Sequence, residues 1–415
     1  MKCFFQTVIF AFISIFFYLS CTAQHVKIQD SKDKRIIDLD LAKKMETLFL
    51  HSTLYKSVKI IPLETNKSCL IGLINKLQVT DNFILVLDRS KANSLYVFNK
   101  EGHFVRKIGR VGQGPGEYIS IADFTVDREN GIVYISDGRL PRIHKYDLTT
   151  GKFIQTIMFR FNNGRANFKE IEHIGGNLYA NALFLNHSPK NYLLFSIDES
   201  SGKEKNNFLN VMEYNKGFSN IYVNQSPYRV FFSRENGNTI YVQAFMKQII
   251  EISKEGVFSF LELRGKNMLT NDEAKQVYES FPKNILETNN RINKYCRSLA
   301  DYVENKEMIY MFLYIGRNTL HMILINKNTN EVCVFDNYFN DMLYGNRNVG
   351  RSFVLGCADN QGAYYHTSDF FSNGISDLQK NYKAGLLSPD VIGLEKLMKL
   401  SDEDNPVLLY YEFKD

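Results

Sequence analysis

The residues that most invite a chemical reading lie in Gly102–Tyr118, GHFVRKIGRVGQGPGEY, where Gly112, Gly114, Pro115 and Gly116 fall within five positions. A glycine-rich loop can cradle a phosphate with its backbone N–H groups, provided Gly-Lys-Ser/Thr follows and a helix opens behind it. Neither feature is present, so the expectation is a tight turn. Glu117 can then accept backbone N–H bonds within the loop, and Tyr118 can pack beneath it. Gln113, Glu117, Arg110 and Arg142 are the candidate rim contacts for a ligand. Asp88 and Asp137 end two equivalent apolar segments. Repeated acids of this kind either ring a channel and hold a cation or accept bonds from the turn behind them, and turn-capping is expected.

Metal and nucleophile chemistry has little local support. None of the eight histidines stands in H-E-x-x-H or H-x-H spacing, so a metal site would have to be assembled from distant segments. His144, His321 and His366, in or beside predicted strands, are the axial candidates together with Asp88 and Asp137. No G-x-S-x-G is present to supply an acyl-transfer nucleophile. The acidic run Asp402–Asn405 fails as an EF-hand, because Val407 stands where the central Gly belongs and Phe413 where the distal Glu belongs. No cofactor is expected, a divalent metal being the one conceivable exception.

The elements that must position these residues repeat. Val86-Leu87-Asp88 recurs as Ile135-Ser136-Asp137, Gly102-His103-Phe104 as Gly151-Lys152-Phe153, and Ile108 as Ile157, each at an offset of 49. A period of 40–50 residues built from short strands and turns is the pattern of β-propeller blades. One strand pins each blade: Phe83–Asp88, Gly131–Asp137, Asn177–Ala180, Thr239–Val242, Met308–Tyr314 and Gly362–His366. The fold expected is therefore all-β, a six-bladed propeller of four-stranded antiparallel blades. Ser57–Leu63 is assigned to close the last blade, since an open ring would leave sheet edges exposed.

Helices are expected as insertions near 270–299 and 374–400. Thr270-Asn271-Asp272-Glu273 reads as a capping box, with Ala274, Val277, Tyr278, Phe281 and Ile285 at helical spacing and Pro282 ending the helix. A second helix is predicted over Asn290–Leu299. Ser388 reads as an N-cap, with Pro389 at the first helical position.

The loop GRVGQGPGEY followed by Ile121–Asp127, IADFTVD, resembles the six-bladed propellers of bacterial cell-envelope lipoproteins and, more distantly, NHL repeats. The likeness runs from about Ile60 to the C-terminus and is sharpest between Phe83 and Ile157. It implies an architecture and a location, and little chemistry.

Export is also legible without that likeness. Lys2 precedes an apolar run, Phe4–Leu19, and Ser20-Cys21 resembles a lipobox in which Cys21 becomes the acylated N-terminus, whereas Cys21-Thr22-Ala23 offers ordinary cleavage before Gln24. Residues 1–23 are thus read as a signal peptide, 24–55 as a linker and 56–415 as the propeller. Cys69, Cys296, Cys333 and Cys357 have no C-x-x-C spacing and are expected as strand thiols, one bridge being permitted by export. The net charge of +5 over 415 residues, with no dominant basic cluster, argues against a nucleic-acid partner. The expectation is an exported propeller, membrane-tethered if Cys21 is acylated or else periplasmic, that binds an envelope protein, peptide or glycan at its funnel face without catalysis. A metal-dependent propeller lyase or hydrolase and a structural envelope scaffold are the rivals.

Overall fold

Phe83–Asp88, FILVLD, is buried along almost its whole length because both of its faces are covered by neighbouring sheets. Ile132–Asp137 repeats that pattern, and Met308–Ile315 does so over most of its length. In the computed structural model these are the second strands of the first, second and fifth blades. The described residues are 24–159, 167–183, 192–213, 229–270, 272–273, 275–276, 290–316, 319–344, 356–358, 361–367, 371 and 373–414.

Six antiparallel four-stranded sheets follow in chain order, as expected. Blade 1 is Lys76–Val79, Phe83–Asp88, Ser94–Asn99 and Phe104–Ile108, and blade 2 is Ile121–Asp127, Ile132–Asp137, Arg142–Asp147 and Phe153–Met158. Blade 3 comprises Asn167–Ile174, Asn177–Leu183, Tyr192–Asp198 and Glu204–Asn210. Blade 4 comprises Phe231–Ser233, Thr239–Tyr241, Gln248–Ile252 and Val257–Arg264. Blade 5 is Cys296–Glu304, Met308–Ile315, Thr319–Asn326 and Val332–Phe335. Blade 6 takes three strands from the C-terminal region, Gly356–Ala358, Gly362–His366 and Val407–Phe413, and its fourth from Tyr55–Pro62. That closing strand runs antiparallel to Val407–Phe413, with Pro62 opposite Val407 and Ile60 opposite Leu409.

Apolar side chains fill the wedges between blades. Leu85, Leu87, Val97, Val133 and Ile135 pack between blades 1 and 2, and Tyr134, Ile143, Ile157, Ile171 and Leu178 between blades 2 and 3. Each such leucine or isoleucine contributes roughly 2 kcal/mol by leaving water. The 3–4 turns fasten neighbouring blades at their rims. Gly102 (φ +91°) lies against the Pro62 carbonyl of blade 6, and Gly202 (φ +70°) against the Met158 carbonyl of blade 2. A Cβ at these positions would stand 2.0 and 2.1 Å from those oxygens, so the recurring glycine is a docking requirement as well as a turn requirement.

Residues 24–55, expected as a linker, instead form a girdle. Gln24–His25 pairs in parallel with the outer strand of blade 3, Gln29–Asp38 with that of blade 4 and Lys43–Met45 with that of blade 5. Phe49–Leu50 then pairs with Tyr338–Phe339 before the chain enters blade 6. An outer strand offers unpaired N–H and C=O groups, and the girdle satisfies them on three blades in succession. Its charged composition concealed this, since only one face of each segment meets the ring.

The insertions differ in part from expectation. Thr270 and Glu273 form the capping box, Thr270 Oγ1 accepting the Glu273 N–H (3.2 Å) and a Glu273 carboxylate oxygen accepting the Thr270 N–H (3.1 Å). Val277, Tyr278, Phe281, Pro282 and Ile285 lie outside the described residues. The helix expected over Asn290–Leu299 is helical only at 290–292 before Cys296–Glu304 becomes the inner strand of blade 5, where sheet pairing overrides local preference. Helix does occur at Gly374–Lys383 and Leu394–Leu397. Ser388 does not cap a helix; its hydroxyl bonds Asp390 locally, and Val391–Ile392 adds in parallel beside Tyr55–Pro62. Among the described residues no helix is long and apolar enough to cross a membrane.

Candidate functional site

Four strands per blade leave the innermost strand with one edge unpaired by its own sheet, and these edges face the axis. The inner strands splay too far apart to form ladders, so side chains satisfy their backbone. Asp123 accepts the Ile171 N–H (2.8 Å), and Thr125 Oγ1 accepts the His173 N–H (3.0 Å), which joins blade 2 to blade 3. Glu170 continues the stitching by accepting the Val230 N–H of blade 4 (2.9 Å). Lys76 of blade 1 reaches across two neighbours. Its Nζ donates to Asp123 (2.9 Å) and to the Phe124 and Ile171 carbonyls (2.8 and 3.2 Å), and lies 3.7 Å from Glu172. Gln78 Nε2 donates to both Glu172 oxygens, at 3.1 and 3.3 Å. Burial raises the Glu172 carboxyl above its ordinary pKa, opposed by Lys76 and assisted by the Asp123 charge.

Above this floor opens a cavity of about 560 Å³. It lies on the face carrying the 1–2 and 3–4 turns, here called the hairpin face; the 2–3 turns and blade-to-blade connections make the opposite, crossover face. Gln78 of blade 1, Asp127 of blade 2, Glu172 of blade 3, Arg234 of blade 4, Glu304 of blade 5 and Phe413 of blade 6 all reach it. Asp127 accepts the Glu129 and Asn130 N–H groups at 3.1 and 3.2 Å, holding one turn rigid. His173 stacks on Tyr134 with ring centroids 5.1 Å apart, and its Nε2 lies 3.2 Å from Glu199. Lys254 and Glu129 pair between the turns of blades 4 and 2.

Arg234 is committed to structure. It donates to Glu304 (2.8 Å) and Glu251 and covers the Phe260 ring at 3.9 Å. Burial works to raise the Glu304 carboxyl, but the Arg234 charge outweighs it and holds the group below its usual range, with help from Lys327. Six carboxylates line the cavity (Asp127, Glu129, Glu172, Glu235, Glu255 and Glu304) against three permanent cations, Arg128, Arg234 and Lys254. The mouth is net acidic on a chain whose formal charge is +5.

None of the candidates singled out from the sequence lines this cavity. Asp88 accepts the Gly72, Leu73 and Lys91 N–H groups (2.7, 3.1 and 2.8 Å), tying a 2–3 turn to the connection that precedes blade 1. Asp137 does the same one blade on, accepting from Ile119 (2.9 Å), Arg139 (2.8 Å) and the Arg142 guanidinium (3.0 Å). Burial pushes its carboxyl up, but those bonds outweigh burial and hold it low. Glu117 accepts the Gly114 N–H (2.8 Å) and pairs with Arg110 (2.6 Å), bonds that lower its pKa, while Arg142 donates to the Glu117 carbonyl (2.9 Å). Arg110, Glu117 and Arg142 therefore come together in the connection from blade 1 to blade 2, beside an exposed Gln113. Tyr146 donates to the Gly116 carbonyl (2.6 Å), and Tyr118 is buried beneath the loop.

The three histidines sit off the axis. His144, on the third strand of blade 2, is buried with Nδ1 2.9 Å from Thr156 Oγ1, and desolvation followed by the Arg142 charge lowers its pKa to about 4. His321, on the third strand of blade 5, pairs with Asp336 at 2.7 Å. His366 ends the second strand of blade 6, where burial lowers it to about 4. Among the described residues no group of three or more His, Cys, Asp or Glu is placed to hold a metal ion. Cys69, Cys296 and Cys333 are free thiols; the Cys357 side chain and Cys21 lie outside the described residues. Lys76, Glu172, His173 and Arg234 went unnoticed in the sequence because no linear motif joins them. The one available signal was the blade period, since Asp123 and Thr125 meet Ile171 and His173 at a constant separation of 48.

Comparison with known proteins bears on fold and family. A solved structure from Bacteroides fragilis, of a protein classed as exported, aligns with a TM-score of 0.66 at 17% identity, covering 92% of this chain and all of that one. A DUF4221 protein from Bacteroides vulgatus aligns at a TM-score of 0.48 and 10% identity, over 87% of this chain and 97% of that one, which is too distant to carry an argument. No curated protein matches the chain significantly. The model of a domain of unknown function, DUF4934, matches residues 34–412, taking in most of the girdle and all six blades, and the chain belongs to that family.

Proposed function

We propose that this protein is an exported, non-catalytic propeller, related to the NHL-like cell-envelope lipoproteins and tethered by an acyl chain on Cys21, that captures a basic peptide segment of an envelope partner in its hairpin-face cavity. The observation that carries the reading is the net-acidic cavity on the axis, to which all six blades contribute. Carboxylates converging inside a walled funnel focus their field and favour a cationic ligand. Glu172 sits at the floor, where burial raises its pKa and an incoming cation would restore its charge. The Phe4–Leu19 run and Cys21 support export and tethering.

A glycan is less favoured, because among the described lining residues Phe413 is the one Phe, Tyr or Trp and the His173 ring is already stacked on Tyr134. A metal-dependent enzyme would need ligands converging on the axis, whereas His144, His321 and His366 lie on second and third strands of three blades. The test is calorimetric titration of the mature protein with a peptide library graded in charge, alongside oligosaccharides. Basic peptides should bind with strong salt dependence, and Asp127→Asn and Glu129→Gln should each weaken binding about tenfold. Binding indifferent to these changes, or turnover of a substrate lost on mutating Glu172, would overturn the proposal.

A further inference from the structure

Among the described residues the girdle leaves the outer strands of two blades unpaired. It covers the outer strands of blades 3, 4 and 5 and continues as the outer strand of blade 6, whereas Phe104–Ile108 of blade 1 and Phe153–Met158 of blade 2 are the last strands of their sheets. Exposed apolar side chains gather along this stretch of rim, Val105, Phe153, Ile154 and Met158 on the outer strands and Val111 and Leu140 at its crossover-face margin, each at least 36% exposed. The same stretch is basic. Residues 100–111 and 139–158 together hold eight Lys/Arg and two Asp/Glu, and Glu117 and Asp137 pair with Arg110 and Arg142 of these segments, which leaves an excess of four positive charges.

The tether emerges beside this surface. Gln24 pairs with Asn206 on the outer strand of blade 3, and the turn before that strand docks Gly202 onto Met158. Cys21 precedes Gln24 by three residues, which span about 10 Å when fully extended. An acyl chain there cannot leave the neighbourhood of blades 2 and 3. Exposed apolar side chains interspersed with lysine and arginine are the surface chemistry that settles on an anionic leaflet, the hydrocarbon entering the acyl boundary and the cations meeting headgroups.

We infer that the bare rim of blades 1 and 2 rests on an anionic phospholipid leaflet, so that the ring stands on its edge and the acidic cavity opens sideways into water. The tether argument rests on the acyl-anchor reading; the rim's apolar and basic character does not. The chain has no tryptophan, so a single introduced one reports depth cleanly. Ile154→Trp and Met158→Trp place the probe on the bare rim, and Ile392→Trp places it on an exposed position beside blade 6. The acylated mature protein is reconstituted on vesicles of phosphatidylcholine and phosphatidylglycerol carrying brominated acyl chains.

The expected result is a blue shift and loss of emission at positions 154 and 158, with emission at 392 unchanged. Neutralising Lys107 or Lys152 to glutamine should reduce vesicle partitioning of the unacylated protein about fivefold each, an effect erased by high salt. Equal quenching at all three positions in the acylated protein overturns the inference while leaving the anchor intact. If mass measurement shows Cys21 unacylated, the unacylated protein on the same vesicles decides. Quenching confined to 154 and 158 then upholds the rim contact without the anchor, and its absence overturns it.

Discussion

Replacing Gly202 with alanine should cost far more stability than the same change at Gly176, although the two glycines share a backbone conformation. Their φ angles are +70° and +75°, so the strain of placing a Cβ in left-handed space is common to both, about 1 kcal/mol. Their surroundings differ. A Cβ on Gly202 would lie 2.1 Å from the Met158 carbonyl oxygen and 2.8 Å from Ile157 Cγ2, whereas nothing lies within 4 Å of one on Gly176. The oxygen belongs to the backbone of the blade 2 outer strand and cannot swing aside. Relief must come from lifting the turn off the preceding blade, an overpacking cost of about 1–3 kcal/mol. Gly202→Ala should therefore lose about 2–4 kcal/mol in total and Gly176→Ala about 1 kcal/mol. Urea unfolding of the mature protein followed by circular dichroism reads both, and Gly102→Ala should behave like Gly202→Ala, its Cβ falling 2.0 Å from the Pro62 carbonyl. Equal midpoints for Gly202→Ala and Gly176→Ala would refute the claim that these turns fasten blade to blade.

Lys76→Met strips Asp123 and Glu172 of their cation and should lower stability by about 3 kcal/mol, with part recovered on adding Glu172→Gln; an unchanged urea midpoint would sink the axial role of the lysine. Glu172→Gln alone carries a pH signature. A carboxyl whose folded pKa is raised contributes stability below its unfolded pKa and loses it as pH rises, so the variant should gain on wild type between pH 4.5 and neutrality, and a pH-independent difference would count against it. His144 works in the opposite direction. With a folded pKa lowered from 6.5 to about 4, it contributes stability above pH 6.5 that is lost as pH falls toward 4, up to about 3 kcal/mol. His144→Gln should flatten that part of the stability profile measured by urea titration at successive pH values.

The ring was legible in the sequence because its construction is periodic. Val86-Leu87-Asp88 and Ile135-Ser136-Asp137 repeat since the second strands of blades 1 and 2 need apolar side chains on both faces and each uses its terminal acid to hold the next turn. The glycines of the first three blades repeat since each of those 3–4 turns, at Gly102, Gly151 and Gly202, lies against the outer strand of the preceding blade. The closing strand was legible too, as Tyr55–Pro62 alternates apolar residues beside the C-terminal strand. The girdle was not, because a segment such as Gln29–Asp38, QDSKDKRIID, buries little beyond Ile37 and owes its strand form to backbone groups on blade 4. The cavity was the least legible part. Its members are ordinary polar residues spread over blades, and the eye-catching Gly112–Glu117 loop is bonded within itself in the connection from blade 1 to blade 2, away from the cavity.

The segment that precedes the first blade can pair only with strands that come far later in the chain. Residues 24–62 emerge first, yet the outer strands they complete belong to blades 3 to 6, and Pro62 waits for Val407, 345 positions downstream. Loop closure over such distances is slow, and until the last strand arrives several strand edges remain open to wrong partners. Shortening the C-terminal strand should thus show itself first as aggregates held together through orphaned edges, well before any loss of the remaining blades' secondary structure.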